Sequence, residues 1–500
     1  MFVGTALLLW SLVGRRVWSS LLVGFVGGVA FFGNHILWLT VYLGPVPWFA
    51  LAGLESLFFA FGCLLMALAW RWVPLLWPGI FGRLFGLPLV LAGLWVLREA
   101  VTSVWPYGGF SWGRVAFSQS ASPFAPLVAW LGISGLSFVI VLLAAILLQA
   151  VRSVRVSWTV RGIVASAACL VVLLVPAWPV ISSGTARVAA VQGNSNSGLF
   201  AEQVPGASLD DHLQATVPLF GKKVDVVVWP ENAADINPLQ NERSAETLDY
   251  VSRQLNAPLI TGTITQNSHG QIFNSLLLWE NGKGSIAQYD KIHPVPFAEY
   301  LPDRSFWYPL APALFDLVPR DYTVGTRSNV FNINGFMAGV AICFDIVDDG
   351  LIHQMIAGGA QFIVAPTNNA DFGHTDESQQ QVAIARLRAI ETSRSVVNDS
   401  TVGVSAMFAP DGRVITALPT FVRGAMLQSI PLSSAVTPAI AFGRQLEWLS
   451  SGFGLAALVT GLLLSLARRL SGTHLATEHP DVRPCLKTTK SEPQPKDHHG

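Results

Sequence analysis

Long apolar stretches dominate the first 182 residues of the chain and return once near its end. Residues 18–43, 48–70, 84–101, 123–150, 162–182 and 447–467 reach or approach the ~20 residues an α-helix needs to cross a bilayer. Residues 1–13 are as apolar but shorter. Gly44-Pro45-Val46-Pro47 breaks the first pair, and Pro74, Pro78 and Pro88 punctuate the next turn-around. This pattern predicts a polytopic α-helical membrane bundle over residues 1–182 and a further span over 447–467. The opening segment lacks a charged n-region and runs into Arg15-Arg16, so a cleavable leader is not expected.

Composition agrees: 51% hydrophobic and 12% charged residues are too apolar for a purely soluble protein. Lys+Arg and Asp+Glu balance at 31 each, which excludes the basic field that nucleic-acid binding needs. The arginines are placed unevenly. Arg15/Arg16, Arg71/Arg83, Arg152/Arg155/Arg161 and Arg468/Arg469 fall on one side if every apolar segment spans. The loops at 44–47 and 102–122 carry only Arg114. The positive-inside rule makes the Arg-rich side cytoplasmic, placing residues 183–446 outside the cell membrane. The many tryptophans read as aromatic belts. Within the spans, Asn34 and His35 read as ties between helices, Arg98 and Glu99 as headgroup contacts or interface anchors, and Glu55 as either a functional carboxyl or a hydrogen-bonded bundle residue.

From Ser183 to about Leu446 the composition changes. Strand-like runs at 187–191, 224–229, 258–264, 274–279, 336–343, 361–366 and 402–408 alternate with polar or helical stretches. The best helix is 376–397, with Asp376 and Glu377 complementing the dipole of its first turn and Ala383, Leu387 and Ile390 on one face. That alternation predicts an α/β domain with largely buried strands. Residues 468–500 form a polar tail, expected to be cytoplasmic and disordered.

Three stretches of this region carry chemistry. Gly335 to Ile342 reads as a buried strand that delivers Cys343 to its C-terminal end, where open α/β sheets gather ligands. Taken alone, Cys343 reads as a small buried hydrophobe. It is also the only cysteine between residues 183 and 446, and a lone thiol outside the cytoplasm is a candidate reactive group. Val224 to Trp229 likewise runs into Pro230 and Glu231. Tyr289-Asp290-Lys291-Ile292-His293-Pro294-Val295-Pro296-Phe297-Ala298-Glu299-Tyr300 sets Lys291 after a short strand, in a segment too proline-rich for a helix. Glu231 can take the thiol proton, the Cys343 thiolate can attack, and Lys291 can stabilise an oxyanion. No metal-ligand spacing and no phosphate-binding Gly-rich loop is read, so no cofactor is expected.

WPE, YDKxHxVPFxEY and ICFD, in that order, resemble the Glu-Lys-Cys pattern of the nitrilase superfamily. Glu299 in the middle motif, Val191-Gln192-Gly193-Asn194 and Arg386-Leu387-Arg388-Ala389-Ile390-Glu391 resemble the apolipoprotein N-acyltransferase family in particular. The resemblance implies a four-layer αββα sandwich for residues 183–446. It implies Glu231, Lys291 and Cys343 as catalytic residues, with Glu299, Phe344 and Asp345 in support. It implies a phospholipid acyl donor and the α-amino group of a lipoprotein's diacylglyceryl-cysteine as acceptor. Phe344 and Asp345 depart from the Tyr and Glu that relatives often carry, which favours a loop-shaping role for Asp345. Asn368 to Gly373 matches the position of an Asn-Asp segment but lacks its tryptophan. The rival functions are a membrane-tethered amidase or nitrilase acting on small amides, and a transporter or scaffold whose outer domain only binds. The family usually has eight spans, against seven counted here with residues 1–13, so a further N-terminal helix is expected upstream.

Overall fold

The structure is a computed structural model that describes residues 1–153, 156–195, 197–198, 204–318 and 320–477. Arg155, Cys485 and the tail from residue 478 lie outside the described residues.

Among the described residues, five helices are long and apolar enough to cross a membrane: Val17–His35, Pro45–Leu76, Gly82–Thr102, Ala125–Arg152 and Pro438–Leu470. The apolar stretch at 162–182 does not form a full span: its helix, Trp158–Leu173, has only 16 residues. Pro176 and Pro179 follow, and neither supplies the N–H a continuing helix needs. The last helix begins at Pro438, before the expected 447, and continues to Thr477, into the stretch expected to be disordered. Close packing of the first two spans depends on glycine. A methyl group on Gly28 would lie 2.7 Å from the Ser56 Cα, so the backbones touch. The arginines of the turn-arounds gather at one end of the bundle. Arg71 donates to the Arg15 carbonyl at 3.3 Å, Arg152 lies over the Trp70 ring at 5.3 Å, and Gln149 donates to the Arg83 carbonyl at 2.7 Å. Arg98 and Glu99 are not at the interface but buried, 3.3 Å apart, and Glu99 also accepts the Val115 N–H. His35 meets the Trp112 carbonyl at 3.4 Å, whereas the Asn34 side chain donates to the Ala30 carbonyl of its own helix at 2.7 Å.

The α/β part contains twelve strands: β1 Gly184–Gln192, β2 Val226–Val228, β3 Leu259–Gln266, β4 Ile272–Glu280, β5 Gly284–Asp290, β6 Val330–Ile333, β7 Phe336–Val340, β8 Phe362–Thr367, β9 Ser395–Ser400, β10 Ser405–Phe408, β11 Val414–Leu418 and β12 Gly424–Leu432. They form two six-stranded sheets, β12-β1-β2-β3-β4-β5 and β11-β10-β9-β8-β7-β6. The sheets face each other across Val188, Val226, Ile260, Val340, Val364 and Val397, all fully buried. Helices Ala207–Thr216 and Glu242–Leu255 cover the first sheet, and Asp349–Ala357 and Glu377–Thr392 cover the second. The result is the expected αββα sandwich. The helix read over 376–397 stops at Thr392, because Ser393 adopts the left-handed conformation (φ 54°) and β9 begins at Ser395. The second sheet's outer helices share one core with the membrane bundle, which joins Leu387 and Ile390 to Val128 and Ile133.

A charged chain runs through that junction. Arg114, from the 102–122 loop, pairs with Asp349 at 2.6 Å. Asp349 pairs with Arg388 at 2.7 Å, and Arg388 with Glu391 at 2.6 Å. Arg388 also donates to the carbonyls of Ile346 and Val347. Arg388→Ala leaves Glu391 buried and unpaired, a change that costs about 3–5 kcal/mol. A thermal melt of purified protein should show a clearly lowered unfolding midpoint, and an unchanged midpoint would refute this role for the chain of charges.

Candidate active site

The first sheet delivers two charged groups to one edge. β2 ends at Val228 and leads through Trp229 and Pro230 to Glu231. β5 ends at Asp290 and is followed at once by Lys291. Gly262 of β3 makes room for the first: a Cβ there would sit 2.6 Å from the Glu231 Cα and 2.7 Å from the Pro230 oxygen. The second sheet delivers the thiol. β7 ends at Val340, short of the expected 343, and Cys343 opens a 3-10 turn over Cys343–Val347 with φ 50°. A non-glycine residue held there is strained by about 1–3 kcal/mol. The strain turns the thiol out of the ladder and toward the first sheet's edge.

The structure brings Glu231, Lys291, Cys343 and Glu299 onto one cavity wall. Lys291 is 2% exposed and lies 2.8 Å from Glu299 and 3.9 Å from Glu231. Asn274 donates to both carboxylates, at 2.6 Å to Glu231 and 3.1 Å to Glu299. The Asn368 N–H donates to the other Glu231 oxygen at 2.8 Å, and the Val295 N–H to Glu299 at 2.6 Å. Burial alone would lower the Lys291 pKa, but Glu299 and then Glu231 outweigh it and hold the ammonium charged. Burial raises Glu231 above the ordinary carboxylate range, against the pull of Lys291. Desolvation and then the Glu231 charge hold the Cys343 thiol well above its usual value, while Lys291 and a hydrogen bond with Thr367 act the other way. Cys343 therefore rests as a thiol beside a carboxyl whose proton affinity suits it to act as a base.

Asp345 is fully buried in the same turn as Cys343, close enough to Lys291 for the two charges to act on each other. It accepts from the Tyr289 hydroxyl at 2.9 Å, the His293 N–H at 3.3 Å and the Ile342 N–H at 3.1 Å, fastening the Lys291 loop to the Cys343 turn. Phe344 lies parallel to Trp112 and Phe110, with centroids 6.0 and 6.1 Å away. Both rings belong to the 102–122 loop, which thus lines the site. Trp112 and Trp38 both donate to Gln380, at 2.6 and 3.2 Å. Asn274, Gly262, Thr367 and Glu377 were not read as site residues. A polar residue inside an apolar strand is the signal that marks Asn274.

The cavity holds about 1130 Å³. From Cys343 it extends to Val46, Leu51, Leu54 and Leu57 of the Pro45–Leu76 span, where Glu55 also reaches its wall. The short helices Arg304–Trp307 and Pro312–Phe315 close another side with Trp307, Leu314 and Phe315.

Two family models match this chain. One, described as carbon-nitrogen hydrolase, covers residues 187–437, and the other, described as apolipoprotein N-acyltransferase N-terminal domain, covers residues 1–146. The chain is 31% identical to an apolipoprotein N-acyltransferase of Mycolicibacterium smegmatis, over 92% of this chain and 81% of that protein. It belongs to the apolipoprotein N-acyltransferase family. Another family member, from Photobacterium profundum, is 28% identical over 94% of this chain and 91% of its own length. An amidase from Nesterenkonia sp. of known structure is 17% identical, with a TM-score of 0.39, over 51% of this chain and 94% of that one.

Beside these groups Glu377 is 2% exposed, and burial pushes its carboxyl from 4.5 up to about 8. Between those values the folded chain holds a proton that the unfolded chain has released, so stability falls as the pH rises from 4.5 to about 8. Glu377→Gln removes that titration while leaving an acceptor for Asn369. The variant should be more stable than its parent by about 3 kcal/mol at pH 7, with the difference vanishing near pH 4. Thermal melts across that range test it, and a pH-independent difference would contradict the buried, protonated state.

Proposed function

We propose that this protein moves an acyl chain from a membrane phospholipid, through a thioester on Cys343, to the N-terminal amine of an apolipoprotein's diacylglyceryl-cysteine. The observation that carries this reading is that one cavity is lined both by Cys343 and by apolar side chains of a membrane span. An amidase for small soluble amides has no use for such a wall. A lipid donor and a lipid-anchored acceptor both require it, because their reactive groups cannot leave the bilayer surface. Residues 1–182 and 447–467 hold the site there, and 183–446 supply the chemistry.

In the first half-reaction Glu231 takes the thiol proton and the Cys343 thiolate attacks the donor's ester carbonyl. Lys291 offsets the oxyanion charge, held in place by Glu299. The C–O bond breaks, Glu231 returns its proton to the departing lysophospholipid oxygen, and the thioester remains. In the second half-reaction the amine attacks the thioester, the C–S bond breaks and the amide leaves. The apolar wall keeps water from the thioester until the amine arrives. Support for an extracytoplasmic site comes from the arginines that gather at the far end of the bundle. The 102–122 loop at the near end carries only Arg114, and that residue is bound to Asp349.

Incubation with radiolabelled phospholipid should leave label on the wild-type Cys343 peptide, read by mass. Cys343→Ala should retain none, and Glu231→Ala or Lys291→Ala should acquire it on the order of 10²–10⁴-fold more slowly. Near-normal acyl transfer by Cys343→Ala would sink the thioester mechanism. For orientation, a thiol placed at exposed Lys222 by Lys222→Cys should react with an impermeant reagent in intact cells. Protection there, with labelling after lysis, would reverse the topology.

A further inference from the structure

Glu377 has no part in the chemistry just described, yet it lies on the wall of the same cavity as Cys343. An acidic residue in the first turn of a helix is ordinarily solvated. This one is buried, and no basic side chain among the described residues pairs with it. Its Oε2 accepts from Asn369 Nδ2 at 2.6 Å. Asn369 is in turn fixed by the Ser400 hydroxyl and donates to Gln381 Oε1 at 3.0 Å. Thr367, which hydrogen-bonds Cys343, donates to the same Gln381 oxygen at 3.1 Å. A short polar chain therefore holds Glu377 in fixed relation to the thiol, close enough for its charge to act there.

The other carboxyls of that wall outside the spans are engaged. Glu231 accepts from Asn274 and Asn368, and Glu299 pairs with Lys291. Asp211 pairs with Arg423, and Asp235 accepts the Gly206 and Leu209 N–H groups. The remaining titratable groups around the cavity include Cys343, Asp371, Tyr42 and Tyr322.

We propose that Glu377 receives the ammonium group of the incoming acceptor and takes its first proton, so that the two half-reactions employ different carboxyls. This rests on the Cys343 thioester reading. An α-amino group has an ordinary pKa of ~7.7–8.0, so much of the acceptor arrives as ammonium, which is no nucleophile. Glu377, pushed up to about 8, is matched to that group, the condition under which proton transfer is efficient near neutral pH. The charge of the entering ammonium drives the resting Glu377 proton out to solvent; a proton then moves from nitrogen to the Glu377 carboxylate, and the neutral amine attacks the thioester. Glu231, a carboxylate again once lysophospholipid has left, takes the second proton as the C–N bond forms. It returns that proton to the sulfur as the C–S bond breaks. Glu377 ends protonated as it began, so ammonium and thioester become amide, thiol and the one proton released to solvent.

The test separates the half-reactions in single turnovers of the full-length protein in lipid micelles. A fluorescent phospholipid reports acyl-enzyme formation, and a synthetic diacylglyceryl lipopeptide reports transfer. For Glu377→Gln we expect acyl-enzyme to form within a few-fold of the wild-type rate, which also shows that the variant is folded. Transfer should fall on the order of 10²-fold near pH 6.5 and recover as the pH passes the amine's own range. Hydroxylamine, largely uncharged at neutral pH, should discharge the variant's thioester at the wild-type rate. Glu377→Asp, which keeps a carboxyl, should restore part of the transfer. Equal slowing of both half-reactions, a pH-independent loss, or unimpaired transfer by Glu377→Gln would each overturn the proposal. If the wild-type protein forms no acyl-Cys343 from phospholipid, the thioester reading itself fails, and that result is distinct from the others.

Discussion

A fully buried lysine is the constraint around which the catalytic half is built. An ammonium group stripped of water loses its charge unless carboxylates surround it. Lys291 has two, and a third polar group, Asn274, holds both of them. Each comes from a different place: Glu231 after β2, Glu299 from the proline-rich loop, Asn274 from β4. The charge can persist only when all three elements are in register, so the sandwich and the site stand or fall together. The antiparallel β4–β5 pairing matters for the same reason, since it sets Asp290 opposite Ser275 and carries Lys291 past Asn274.

The second constraint is that this site must stay attached to the membrane bundle. The junction is stitched by groups that cannot slide. Arg114, Asp349, Arg388 and Glu391 form one line of alternating charge, and Phe344 lies against Phe110 and Trp112. Ser111 donates to the Val347 carbonyl at 3.2 Å. Apart from the Arg388–Glu391 pair, these contacts fall on the Cys343–Val347 turn or just beyond it. The strained thiol turn is thus clamped from the membrane side by the loop, and from the Lys291 side by Asp345.

Much of this was legible in the sequence, because each proposed catalytic group ends an apolar run, and apolar runs bounded by Pro or polar residues read as buried strands. Four strands were not read: β6, β9, β11 and β12. β9 is Ser-Val-Val-Asn-Asp-Ser, every residue of it buried, so composition marked it as a helix end. Its polar side chains find partners inside the domain, such as the Ser400 hydroxyl donating to Asn369, and partners distant in sequence leave no local trace. The same holds for Arg98 and Glu99. Charges at the end of an apolar helix look like interface anchors until the loop that covers them is in place. Cys343 was expected at the end of its strand, but the strand stops at Val340, because the turn must lift the thiol off the sheet.

Glu377 shows how a site can be misread by a rule that is locally correct. An acid in a first helical turn is explained by the helix dipole, and nothing nearby in sequence asks for more. Burial changes the account: the dipole favours the charged form, whereas desolvation wins and leaves the carboxyl holding a proton near neutral pH. A neutral amide of the same shape would keep the bond to Asn369 and spare the desolvation penalty. A purely structural requirement would therefore be met better by Gln at this position. The chain carries the costlier acid on the same cavity wall as Cys343, which is what the proposed proton-transfer role requires and a packing role does not.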